Sequence, residues 1–400
     1  MTARLPDTLS MVRELIAKPS VSCTDPHFDQ SNLEVIHLLA GWLETLGFKV
    51  EIEAVAQGKA NLIGTLGDAG NPDGLVLSGH TDTVPYDLDQ WTLDPFKATE
   101  SKNRLYGLGS ADMKSFFALA IAAAQRFSAK DLRQPLIILA TADEESSMCG
   151  VKALVRQRRR LGRYAVIGEP TGLQPIRMHK GVMLESIRVR GHSGHSSDPS
   201  LGANAIEGMY AVLTELLAFR DELRKNYRNP VFTVDYPTLN LGSIHGGDNP
   251  NRICAHCETQ IDIRPLPDMD LDELHQTLVS RLEPVLASAP GLSLEVHKLF
   301  DGLPPFETPA DAEIVQTSEQ LTGKPAAAVA FGTEAPFLSR LGLETVVMGP
   351  GSIDQAHQPD EYLALDQIGP TIDLLGKLIE RFCVMPHSRP SPRVRPEERS

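Results

Sequence analysis

Two histidines and several carboxylates stand in this 400-residue chain where their side chains could hold metal ions. His80 leaves the apolar run Leu75-Val76-Leu77-Ser78-Gly79, and Asp82 follows two residues later. Asp112 closes the glycine-rich stretch Tyr106-Gly107-Leu108-Gly109-Ser110-Ala111. Asp143, Glu144 and Glu145 come directly after the apolar run Leu136 to Thr141. Glu169 sits in Gly168-Glu169-Pro170-Thr171, and His357 follows the turn Gly349-Pro350-Gly351-Ser352. Imidazole nitrogen and carboxylate oxygen are donors that suit Zn²⁺ or Co²⁺. Brought together, they fit a two-metal hydrolytic centre, in which the cations acidify a water and polarise a carbonyl. Each residue alone has an ordinary alternative. His80 beside Asp82 could be a hydrogen-bonded histidine, Asp112 a helix N-cap, and the acid triplet a solvated turn.

The elements that must position these residues alternate between strands and helices. Leu75 to Ser78, Leu136 to Thr141, Tyr164 to Ile167 and Thr345 to Met348 read as short buried strands. Ser31 to Leu46 reads as a helix, with Ser31 and Glu34 as a capping box and Gly47 as its stop. Phe48 to Val55 and Asn61 to Leu66 read as strands, and Phe116 to Phe127 as a second helix. Several apolar strands thus end in His or acid, the pattern of an α/β sheet with its site at the carboxyl ends of the strands. The Gly107-x-Gly109 pair lacks the third glycine of a dinucleotide fingerprint.

The middle of the chain changes rhythm. Val182 to Arg190 is a predicted strand, Ala203 to Leu223 a helix, and Val231 to Ile244 strand material broken by Pro237. Ile253 to Ile263 is a strand, Leu271 to Leu282 a helix, and Leu292 to Leu299 a closing strand. That β-α-β-β-α-β order predicts a ferredoxin-like domain at 181–298, inserted into a largely parallel α/β domain made of 1–180 and 299–385. The Pro-, Arg- and Ser-rich stretch 386–400 has little to bury and is expected to be disordered.

A net charge of −14 argues against nucleic-acid or anionic-membrane partners. Met1 to Ser20 does not match a secretory signal, the longest apolar stretch is too short to span a bilayer, and the five cysteines are scattered; a reduced, cytoplasmic location is expected. Cys254-x-x-Cys257 lacks a second pair, so two thiols on one sheet are favoured over a zinc or redox site.

The five ordered motifs resemble the dinuclear-zinc amidohydrolases, the family of aminoacylases, glutamate carboxypeptidase and succinyl-diaminopimelate desuccinylase. They are His80-Thr81-Asp82-Thr83-Val84-Pro85, Gly109 to Lys114, Asp143-Glu144-Glu145, Gly168 to Thr171 and Ala356 to Glu361. The match runs to about Cys383. Ser115 stands where the family commonly has glycine, and the tail is longer than expected; neither departure touches an expected ligand. The resemblance implies two Zn²⁺ per subunit, with Co²⁺ also able to serve. His80 and Glu169 would hold one ion, Glu145 and His357 the other, and Asp112 would bridge them. Asp82 would support His80, and Glu144 would be the general base. His195, in Gly191-His192-Ser193-Gly194-His195, is implied as an oxyanion donor reaching the other subunit of a homodimer built on the inserted domain.

The stretches Tyr236 to Gly242, Asn251 to Cys254, Asp262 to Pro267, Gly332 to Pro336 and Gly349 to Ser352 extend the resemblance to the branch that cleaves N2-acetyl-L-ornithine to L-ornithine and acetate in arginine biosynthesis. Arg264, with Asn251 or Arg252, is then the expected anchor of the substrate α-carboxylate, a structural ion pair being the alternative for each arginine. Thr333 and Glu334 would lie in the substrate site, with Glu334 meeting the ornithine ammonium. A relative acting on another N-acyl amino acid or a dipeptide stays open, as does a non-catalytic binding relative, which would have no use for Glu144.

Overall fold

The structure is a computed structural model that describes residues 5–385. The stretch 386–400, expected to be disordered, lies outside the described residues. The chain divides into two compact units, one of Met1–Pro175, Ala310–Pro325 and Phe337–Ser400, the other of Ile176–Pro309 and Ala326–Pro336. Residues 299–309 and 326–336, assigned from sequence to the metal-binding domain, therefore group with the inserted segment.

In the first unit the strands lie in the order Lys49–Ala56, Lys59–Leu66, Leu136–Thr141, Leu75–His80, Tyr164–Pro170 and Glu344–Gly349. The last four run parallel, and the first two join them antiparallel. Leu75–His80, Leu136–Thr141 and Tyr164–Pro170 are buried at every residue, as parallel strands covered on both faces must be. The helix Lys114–Ala124, apolar nearly all round, is buried along almost its whole length and packs on Leu75–His80. Gly168 makes close packing possible here, since a Cβ at that position would lie 2.1 Å from the Phe116 ring. A small sheet of Thr99–Ser101, Arg104–Tyr106 and Tyr362–Ala364 ties the Asp112 approach to the segment after His357.

The second unit contains a four-stranded antiparallel sheet in the order Thr238–Gly246, His256–Arg264, Met183–Arg190 and Ser293–Lys298. The helices Ala205–Asn226 and Leu271–Leu282 complete the β-α-β-β-α-β order. Burial alternates residue by residue along His256–Arg264, and Leu274, Leu278 and Leu282 form the buried stripe of their helix. A further strand, Ile176–His179, pairs with Phe306–Glu307 and Ala327–Val329.

Three local expectations change. The first long helix is Leu33–Thr45, with Asn32 in the cap position, and no Ser31–Glu34 capping box forms: Ser31 Oγ accepts from Leu33 N at 3.2 Å and donates to Gly58 O, while Glu34 pairs with Lys18 at 2.8 Å. The helix after Asp112 starts at Lys114, with Met113 in the cap position, so Asp112 is not the cap. The strand material at 231–244 is ordered as a strand only from Thr238, because residues 231–237 form turns around Pro237.

Candidate metal centre

The strand ends bring the six expected residues together. His80, Asp112 and Glu169 offer ligand atoms within 4.8 Å of one another, and so do Asp112, Glu145 and His357. The two groups share Asp112. Its Oδ1 lies 3.0 Å from His80 Nε2 and its Oδ2 3.5 Å from His357 Nε2, so the carboxylate faces both sets. His357 Nε2 is also 2.9 Å from Glu145 Oε1. A third overlapping group adds Glu144 to His80 and Glu145. One imidazole and several carboxylate oxygens in each set are a fitting donor chemistry for two divalent cations sharing a bridging carboxylate.

The charges in this cluster are strongly coupled. Burial disfavours a charged His80, yet the Asp112 and Asp82 carboxylates hold it well above the usual histidine range. Asp112 and Glu145 together push His357 up to about 10. Burial also opposes the Asp112 charge, but His357 and His80 hold it below the usual carboxylate range. Burial and the Asp112 charge push Glu145 upward. The carboxylates thus attract positive charge to the very atoms a cation would contact.

The surrounding residues fix these side chains. His80 Nδ1 lies 3.0 Å from the Asp82 carbonyl oxygen and 3.6 Å from its carboxylate, so the backbone is its nearer partner. The fully buried Asp82 carboxylate instead accepts the backbone N–H groups of Glu144, at 3.2 Å, and Glu145, at 3.0 Å. The acid turn is gripped again by Asn61, which accepts from Ala142 N and donates to Gly150 O. Repulsion within the triplet is relieved by Lys59, whose Nζ is 2.6 Å from Asp143 and 2.8 Å from Asp29. Burial opposes the Lys59 charge, and the two carboxylates more than offset it.

Glu361 was not singled out by spacing, although it lies in the His357 motif. It is 1% exposed and accepts three backbone N–H groups, from Gly109 at 3.0 Å, Ala111 at 2.7 Å and Asp112 at 2.9 Å. Burial, with the Asp112 charge, pushes it up to about 8 against the pull of those donors. The signal available in sequence was an acid four residues after a candidate ligand; its partners, some 250 residues away, were not visible.

The remaining expected site residues belong to the second unit. His195 is exposed, and its Nδ1 lies 2.7 Å from Ser197 Oγ and 3.3 Å from Ser197 N. His192 Nδ1 instead faces the Gly291 carbonyl at 3.2 Å. Arg264 is forked onto Asp262 at 2.9 Å, the structural ion pair held open as its alternative. Arg252 pairs with Asp248 at 2.6 Å and donates to Ser193. The Asn251 carbonyl accepts from Ser196 N. Thr333 and Glu334 are both buried. Cys254 Sγ faces the His256 carbonyl, and no metal-capable group among the described residues includes a cysteine.

Comparison with known proteins fits this arrangement. Residues 76–381 match the family model described as peptidase family M20/M25/M40. The chain is 51% identical over 386 residues to the protein named acetylornithine deacetylase from Proteus mirabilis, covering 96% of this chain and 99% of that one. It is 49% identical to the protein of the same name from Klebsiella pneumoniae, over 96% of this chain and 100% of that one. Among solved structures, aminopeptidase PepT from Bacillus cereus aligns with a TM-score of 0.74 at 20% identity, covering 96% of this chain and 100% of that one. The M20 family metallo-carboxypeptidase Sso-CP2 from Sulfolobus solfataricus aligns with a TM-score of 0.73 at 19% identity, over 94% and 99% of the two chains. With the five motifs in place and the family model spanning the candidate metal-binding residues, this chain belongs to peptidase family M20/M25/M40 and is a hydrolase.

Proposed function

We propose that the protein removes the acetyl group from N2-acetyl-L-ornithine, giving L-ornithine and acetate as a step of arginine biosynthesis. The observation that carries the substrate is 51% identity across 99% of a protein named for that reaction. The chemistry is supported by the two ligand groups that share Asp112, with Glu144 beside them.

His80 and Glu169 would hold one Zn²⁺, Glu145 and His357 the other, with Asp112 between them; Co²⁺ suits the same donors. When bound, the ions supply an acidified water and a polarised amide carbonyl. Glu144, kept out of both ligand pairs, accepts a proton from the attacking water as the new C–O bond forms. The same carboxyl then returns the proton to the departing nitrogen as the C–N bond breaks. Asp82 keeps Glu144 and Glu145 in register through their adjacent N–H groups. His195 would donate to the oxyanion through a protonated Nε2, acting across a homodimer. The dimer is supported by the stripe of exposed Ile206, Tyr210 and Leu217 on the helix Ala205–Asn226. No helix among the described residues is long and apolar enough to cross a membrane, and the reading places the enzyme in the cytoplasm.

The test compares hydrolysis of N2-acetyl-L-ornithine, succinyl-diaminopimelate and N-acetyl-methionine at equal concentration by zinc- or cobalt-loaded protein. A clear preference for the first is expected, and preference for another substrate overturns the assignment. In Glu144→Gln the metal content should persist while hydrolysis is lost.

A further inference from the structure

His179 lies outside every motif discussed so far, yet it is fully buried and both ring nitrogens are engaged. Nδ1 lies 2.9 Å from the Lys180 carbonyl, which can only accept, so Nδ1 carries the proton. Nε2 takes the Thr333 N–H at 3.3 Å, which can only donate, so Nε2 is bare. The ring rests on Phe306, with centroids 5.2 Å apart. Burial pushes its pKa down to about 4, so this tautomer persists at neutral pH.

Thr333 opens the turn that carries Glu334. Thr333 is fully buried, and its hydroxyl accepts the Ala335 N–H at 3.1 Å. On its other flank a Cβ added at Gly332 would lie 2.0 Å from Leu303. The turn is therefore pinned from one side by packing and from the other by the His179 acceptor.

We infer that His179 is a positioning residue for substrate selectivity, holding the Thr333–Glu334 turn through Nε2 so that Glu334 is presented in one place. The inference rests on the reading that Glu334 meets the side-chain ammonium of ornithine. An ion pair at a buried carboxylate depends steeply on placement, whereas a neutral side chain makes no such demand. Loss of the acceptor should thus raise KM for the cationic substrate more than for a neutral one.

The experiment measures kcat and KM for N2-acetyl-L-ornithine and N-acetyl-methionine in metal-loaded wild type, His179→Phe, His179→Gln and Glu334→Gln, with metal content and thermal melting of each. In His179→Phe, which keeps a ring but no acceptor, the preference for acetylornithine should fall about tenfold or more, mainly through KM. His179→Gln, whose amide oxygen can accept, should stay within about threefold of wild type. Adding His179→Phe to Glu334→Gln should lower the preference no further. If Glu334→Gln keeps the preference, the Glu334 reading fails and takes the inference with it. If Glu334→Gln loses it while folded His179→Phe keeps it, the His179 role is wrong and the Glu334 reading stands. Should His179→Phe not fold, nitrogen-detected NMR of the wild type decides: a bare Nε2 and protonated Nδ1 from pH 5 to 8 support the inference, and a ring that protonates near pH 6.5 overturns it.

Discussion

Replacing Glu361 by Gln should weaken metal binding without touching a ligand. The carboxylate gives Oε1 to Ala111 N and Asp112 N, and Oε2 to Gly109 N. Cations bound beside Asp112 favour the ionised form of Glu361, against the burial that otherwise pushes it up to about 8. A glutamine then keeps one oxygen for the first two and turns its NH₂ toward the third, so one charge-assisted bond becomes a donor facing a donor. Such a bond contributes about 1.5–3 kcal/mol. If the cost falls on the loop that presents Asp112, the cations must restore that loop on binding, and affinity drops by about 10- to 150-fold. The magnitude matches the roughly 10- to 100-fold typical when a partner of a metal ligand is lost.

Two effects could produce the drop, the loosened loop or the missing negative charge near the cations. Glu361→Asp separates them, since it keeps the charge and shortens the reach. Competition between metal-stripped protein and a chromophoric chelator reads the affinity directly. Expected is a loss in both variants, with turnover partly regained at high metal concentration. Wild-type affinity in Glu361→Asp beside a loss in Glu361→Gln would show that charge alone matters. Wild-type affinity in both would refute the loop argument.

Lys59→Met strands Asp143 and Asp29 and should cost about 2–4 kcal/mol in a urea or thermal melt; adding Asp143→Asn should recover part of it, and no recovery would mean the pair is not the cause. Gly168→Ala drives a Cβ into the Phe116 ring and should cost about 1–3 kcal/mol, eased by Phe116→Leu; an unchanged melt would show that strand and helix can part freely. The depressed pKa of His179, about 4 against 6.5 when unfolded, means the unfolded chain binds more protons between those values. Stability from this residue is complete above pH 6.5 and is lost as pH falls toward 4, by about 3 kcal/mol in all. His179→Gln should remove that share of the acid destabilisation, and identical pH–stability curves for variant and wild type would rule it out.

Among the candidate metal-binding residues, His80, Glu145 and Glu169 were legible because each follows or ends an apolar run, and a run of that kind becomes a strand whose end is a fixed place. Asp112 and His357 follow glycine-rich turns and were legible only through the motifs around them. His80, Glu145 and Glu169 lie just beyond or at the ends of neighbouring parallel strands, and the ordering of those strands does the rest. The βαββαβ order was legible for the same reason, periodicity being a local property. The capping box at Ser31 was misjudged because Glu34, its expected return partner, is taken by Lys18, while the Ser31 hydroxyl accepts from Leu33 N and donates to Gly58 O. Lys59, Asn61 and His179 carry no mark in their own neighbourhood, and Glu361 offered only its place four residues after a candidate ligand. Each acts on a backbone or side-chain group far away in sequence.

Lys59, Asn61 and Glu361 share a task, which is to manage charge and backbone around an excess of carboxylates. Asp82, Asp112, Glu144, Glu145 and Glu169 surround two histidines. Lys59 is spent on Asp143 and Asp29, and buried Lys114 is balanced by the acid Glu361, so neither neutralises these five. As ligands, His80 and His357 must be neutral and contribute no charge. Two divalent cations then bring the five carboxylates within one unit of neutrality, whereas a single cation leaves three negative charges packed in a buried space. Born and Coulomb costs both favour the doubly loaded state. Binding should therefore show two ions per chain, with Asp112→Asn, which removes the shared charge, weakening both; a protein that saturates at one ion with full activity would break this argument.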